Sequence, residues 1–172
     1  MILQLGDWQF DIDMERTMEY SAAEASEHCD CAYCRNFYAA IDENYPQLRP
    51  FLAQFGLDLE APDELMPFDL DGRMYYDGAY MVCGRILQTS VSPMEVSDIP
   101  ILATSADDPN NPIHINHNCP EPYFALNIGA ITLPWVLDEP MKDVVSPANF
   151  PDFLKKMWDK LLRKVGNNGT KS

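Results

Sequence analysis

The sequence is poor in basic residues, with 12 Lys and Arg against 27 Asp and Glu, a formal net charge of −15. A chain so negative repels a polyphosphate backbone instead of releasing its counterions, which excludes ordinary nucleic-acid binding. It also lacks a long apolar run. The most apolar stretch, 128–137, is about half the length a membrane-spanning helix needs and contains Gly129 and Pro134. No basic leader precedes Asp7, so the expectation is a cytoplasmic protein with neither signal peptide nor membrane span. The few glycines form no phosphate-cradling loop, and there is no serine nucleophile elbow, no helical H-E-x-x-H, no internal repeat and no low-complexity tract. Hydrophobic residues nevertheless make up 47% of the chain, enough for one core. The expectation is a single domain over 1–166 and a disordered tail over 167–172.

Hydrophobic periodicity sets the expected elements. Trp8, Phe10, Ile12 and Met14 alternate with Gln9, Asp11, Asp13 and Glu15, the period of a strand with one face in a core and an acidic face outside. Cys34, Phe37, Tyr38, Ile41 and Tyr45 recur at helical spacing until Pro46, and Pro50 opens a second short helix carrying Phe51, Leu52 and Phe55. The Pro- and acid-rich stretch 61–71 reads as a connector. Asp77-Gly78, between the β-prone arms 73–76 and 79–82, predicts a hairpin with a type I′ turn, and Gly84 predicts a bulge in the returning arm. Strands are expected near Ile99 to Ala103 and from Tyr123 through Leu137, the latter broken at Asn127 and Gly129. Phe150, Phe153, Leu154, Met157, Trp158, Leu161, Leu162 and Val165 fit an amphipathic C-terminal helix. Residues 150–172 carry a net +4, which leaves −19 for the rest. The fold class expected is α+β, an antiparallel sheet of about five strands with helices packed on one face, the C-terminal helix among them.

The dense constellation is His28-Cys29-Asp30-Cys31-Ala32-Tyr33-Cys34. Cys31-x-x-Cys34 has the spacing by which a tight turn aims two thiolates at one tetrahedral metal, and Cys29 or His28 could add a third ligand. Some 80 residues later comes His114-Ile115-Asn116-His117-Asn118-Cys119, in a Pro- and Asn-rich loop. Two or three thiolates of the first cluster with His117 and Cys119 would fill a closed zinc shell, so the expected metal ligands are Cys29, Cys31, Cys34, His117 and Cys119. The competing reading packs these cysteines as small apolar thiols near a helix start, and Cys83 is expected in the core. A redox pair, with Cys31 attacking and Cys34 resolving, would use the same residues, but it expects a parallel β-α-β unit that the sequence does not suggest. A cysteine hydrolase using His114 or His117 as base is compositionally possible. Asp69-Leu70-Asp71-Gly72 lacks the remaining ligands of a calcium loop and reads as a turn, and adjacent Asp138 and Glu139 point apart on an extended chain.

Three stretches carry a resemblance: Cys29-Asp30-Cys31-Ala32-Tyr33-Cys34-Arg35-Asn36-Phe37, Phe55-Gly56-Leu57-Asp58 with Pro62-Asp63-Glu64, and Leu133-Pro134-Trp135-Val136-Leu137-Asp138-Glu139-Pro140. In this order the chain resembles a family of uncharacterised bacterial proteins of similar length. The resemblance implies a bacterial, intracellular, single-domain protein and directs attention to Cys31, Cys34, Arg35 and Asn36. The functional expectation is a non-catalytic acidic module that binds a protein partner with a basic surface, with zinc as its possible cofactor. The alternative is a metal- or thiol-dependent enzyme using Cys31 and Cys34 with His117. A third reading, an acidic decoy for a nucleic-acid-binding protein, rests on the net charge alone.

Overall fold

The computed structural model describes residues 1–25, 29–70, 73–106 and 118–141. The expected C-terminal helix, the tail and the histidines His28, His114 and His117 lie outside them. In chain order the elements are β1 (Ile2–Leu5), β2 (Trp8–Ile12), α1 (Met14–Ala25), α2 (Ala32–Asn44), α3 (Leu48–Ala53), β3 (Glu64–Leu70), β4 (Arg73–Gln88), β5 (Met94–Val96), β6 (Ile99–Ser105) and β7 (Tyr123–Leu133). The α+β class and the antiparallel sheet are as expected, but the sheet has seven strands rather than about five.

Its order is β1-β2-β4-β7-β6-β5, with β3 also paired to β4. The 16-residue β4 is the spine. One side of it pairs with β7 from Met74 to Cys83, and the other side is shared by β3 along 73–79 and β2 along 84–88. Its middle, Ala79 to Cys83, is buried throughout, so it reads as an unbroken apolar run.

Asp77-Gly78 is therefore not a hairpin turn. It lies inside β4, where Tyr76 pairs with Ile131 and Gly78 with Ile128, so that Gly129 and Ala130 together oppose Asp77. The Asp77 carboxylate accepts the Ala130 N–H at 3.0 Å, and Ala130 takes a positive φ of 58°. Asp-Gly here belongs to a bulge rather than a turn. The hairpin is formed by β3 and β4, whose last pair is Leu70 with Arg73. The expected connector thus contains a strand, and Pro67 is accommodated because among the described residues β3 pairs only with β4 and is an edge. The register of β2 and β4 shifts between Gln9 and Phe10, opposite Leu87, so the expected bulge does not stand at Gly84. The φ of Gly84 is +148°, and a Cβ there would stand 2.2 Å from the Asp11 carbonyl oxygen, so only glycine allows β2 to approach β4 at this point.

The main core lies on one face of the sheet. It joins Trp8, Phe10 and Ile12 of β2, Met74, Tyr76, Tyr80 and Val82 of β4, and Phe124, Leu126 and Ile128 of β7 to Phe37 and Ile41 of α2 and Leu48, Phe51 and Leu52 of α3. A second, small cluster takes the alternate strand positions Met81, Cys83 and Ala125 with Tyr20 of α1 and Cys119. α1 therefore departs from the expectation of helices on one face only. Where β3 and β2 leave the middle of β4 uncovered, side chains replace the missing strand. The Asp63 carboxylate accepts the Met81 N–H at 2.7 Å, and Thr17 Oγ1 accepts the Cys83 N–H at 3.1 Å.

Candidate metal centre

Cys31 is the N-cap of α2, with extended backbone (φ −71°, ψ 156°), and Cys34 is the third residue of the helix. The extended cap turns the chain so that Cys29 folds back beside them. The Sγ atoms of Cys29, Cys31 and Cys34 all lie within 4.8 Å of one another. Cys29 and Cys31 are exposed and Cys34 is buried. Among the described residues this is the one group of three or more His, Cys, Asp or Glu side chains close enough to share a metal ion.

The thiols differ. Burial raises the Cys31 thiol, but the Cys34 N–H, the Cys29 and Cys34 thiols and the Tyr33 N–H outweigh it, and its pKa falls below the ordinary value. Burial and then the neighbouring Cys31 and Cys29 push the Cys34 thiol up. The Tyr38 phenol is pushed up to about 12 by burial and then by the three cysteines, and the Tyr76 phenol likewise to about 12 by burial, with Cys34 and Cys31 adding to it and the Asn36 hydrogen bond opposing.

Behind the thiols, the first turns of α2 grip the segment after β7. Asn36, fully buried, donates to the Pro134 carbonyl at 3.1 Å and accepts the Val136 N–H at 2.8 Å, as a strand backbone would. Its amide also donates to the Tyr76 hydroxyl at 3.1 Å, which in turn donates to the Tyr33 carbonyl. Arg35 pairs with Glu139, Tyr33 meets Trp135 edge to face at 5.9 Å, and Trp135 Nε1 donates to the Glu139 carbonyl. The two sequence stretches singled out as motifs, 29–37 and 133–140, are thus one contact.

Of the expected ligands, Cys29, Cys31 and Cys34 are brought together. Cys119 is not with them: its Sγ lies 3.6 Å from that of Cys83, in the second cluster. The cause is topological, because Cys119 sits four residues before Tyr123, the register partner of Cys83. Cys83 is buried as expected. His117 lies outside the described residues. Asn36 and Arg35, to which the resemblance directs attention, reach about 100 residues along the chain, and no local signal could have shown which partners they take. Three thiols so placed can bind a thiophilic metal with a fourth position open to another ligand, or exchange disulfides. No known protein-family model matches the chain, and neither a curated protein nor a solved structure matches it, so the functional reading rests on this geometry.

Proposed function

We propose that the chain is a non-catalytic acidic interaction module in which Cys29, Cys31 and Cys34 hold a zinc ion. The observation that carries the metal reading is the mutual approach of the three Sγ atoms within 4.8 Å. Tetrahedral zinc with Zn–S bonds of about 2.3 Å sets its sulfurs about 3.8 Å apart, so a contraction of about 1 Å completes the site. Three thiolates against one dication leave a net −1 there, in keeping with an acidic molecule. The metal would fix the head of α2, and with it the Asn36 and Arg35 grip on 134–139. The net charge of −15 supports a partner with a basic surface, reached by electrostatic steering.

The test is metal content per chain, measured on untagged protein purified under reducing conditions. About one zinc per chain is expected. Cys31→Ser and Cys34→Ser should lose it and lower the thermal midpoint, while Cys119→Ser keeps it. Metal-free protein with all five cysteines titrating as thiols would sink the zinc reading. The second reading is thiol–disulfide exchange, favoured by the exposed Cys31 standing one helical turn before the buried Cys34. It predicts a reversible 31–34 disulfide and no metal. The sheet is antiparallel throughout, unlike the β-α-β setting of thioredoxin-type sites, and this favours zinc.

A further inference from the structure

We propose that Cys83 and Cys119 form a second, independent thiol site that closes to a reversible disulfide on exposure to a hydroperoxide. Their Sγ atoms are 3.6 Å apart, in contact as thiols, and either can donate to the other. A disulfide needs about 2.05 Å, so an approach of about 1.5 Å suffices. The surroundings decide which partner moves. Cys83 is held on both backbone sides, its N–H by Thr17 Oγ1 at 3.1 Å and its carbonyl by the Asp13 N–H at 2.9 Å, and it pairs in register with Tyr123. Cys119 lies in 118–120, which belongs to no helix or strand. The other members of the cluster are the flexible Met81, the small Ala125 and Tyr20, with Tyr123 packed against them.

Accessibility sets the order of events. Cys83 has no exposed surface, whereas Cys119 is 7% exposed between exposed Asn118 and Pro120. The Cys119 sulfur attacks the peroxide, the O–O bond breaks, and the departing oxygen takes up the thiol proton and leaves as water while the other oxygen stays as a sulfenic acid. The Cys83 sulfur then attacks the Cys119 sulfur, the S–O bond breaks, and the second oxygen leaves as water. In all, two thiols and one hydrogen peroxide give one disulfide and two waters, with sulfur oxidised and peroxide reduced. The bond would tie β4 to the segment entering β7 and close a loop whose ends are 36 positions apart. It does not involve the three cysteines of the proposed metal centre and does not depend on zinc.

The experiment uses the full chain carrying Cys29→Ser, Cys31→Ser and Cys34→Ser, so that Cys83 and Cys119 are the only thiols left. Folded, reduced protein is treated with hydrogen peroxide, quenched, alkylated and peptide-mapped, and the wild-type chain is treated in parallel. The expected result is that most Cys119-containing peptide is linked to the Cys83 peptide, that dithiothreitol reverses the link, and that the thermal midpoint of the oxidised protein exceeds that of the reduced. If the triple variant does not fold, the wild-type map decides by the same linked peptide. The proposal is overturned if Cys119 is over-oxidised or stays alkylatable without the link, if the link forms only in denaturant, or if Cys119 pairs with Cys29, Cys31 or Cys34 instead.

Discussion

Asn36 has no exposed surface, yet every polar atom of its amide is used across the junction between α2 and the segment after β7. Truncation removes three hydrogen bonds, and the Tyr76 hydroxyl is left buried with one fewer donor. Buried hydrogen bonds contribute about 1 kcal/mol each, and an orphaned partner costs about 1–3 kcal/mol. Asn36→Ala should therefore lower stability by about 2–4 kcal/mol in urea unfolding. Asn36→Asp should do no better, because a carboxylate cannot donate to the Pro134 carbonyl. A loss below about 1 kcal/mol would mean that the junction is not held by this side chain. The residue scale is also where the sequence was most and least informative. Cys29, Cys31 and Cys34 were readable as a cluster because helix geometry and the short spacing alone bring them together. Cys119 was misplaced because its neighbour is chosen by the pairing of β7 with β4, which no local pattern reports.

At the scale of elements, Asp77-Gly78 looks like a turn in the sequence, and only sheet register shows it as a bulge inside β4. α1 leaves no mark in the hydrophobic pattern for a physical reason: its buried residues are Thr17, Tyr20 and Ser21, so its inward face carries almost no hydrophobic signal. Its contribution is to supply hydrogen bonds where β4 has no strand beside it. β2 and α2 show the opposite case, since apolar residues at period 2 and at helical spacing made both readable. The crossing of β2 and β4 offers a paired test. Gly6 and Gly84 both have positive φ, but a Cβ at Gly6 meets nothing within 4 Å, whereas at Gly84 it would stand 2.2 Å from backbone. Gly6→Ala should cost about 1–2 kcal/mol, the left-handed penalty alone. Gly84→Ala should cost at least about 3 kcal/mol or prevent folding, since β2 must move away. Equal effects in denaturant titration would show that the close approach does not constrain the sheet.

For the molecule as a whole, tyrosine burial ties stability to alkaline pH. Burial raises the phenols of Tyr20, Tyr38, Tyr76 and Tyr80, and Tyr38 and Tyr76 reach about 12. An unfolded chain ionises tyrosine near pH 10. Between these values the folded protein keeps protons that the unfolded chain releases, so the stabilisation is complete below about pH 10 and is lost as pH rises through 12. Repulsion within a chain of net charge −15 acts in the same direction, because each new phenolate adds a negative charge. Far-UV circular dichroism and tyrosinate absorbance, followed together from pH 9 to 12.5, should therefore show a cooperative loss of structure that coincides with the ionisation of these four phenols. Tyr80 tests the cause individually: its hydroxyl donates to the Leu59 carbonyl at 2.7 Å from a site with almost no exposure. Tyr80→Phe removes one of the phenols whose ionisation opposes folding, at a cost of about 1 kcal/mol for the lost hydrogen bond at neutral pH. The variant should be less stable than wild type at pH 7 and lose stability less steeply above pH 10. If wild type and variant lose stability with the same slope, buried phenols are not what limits the fold in base.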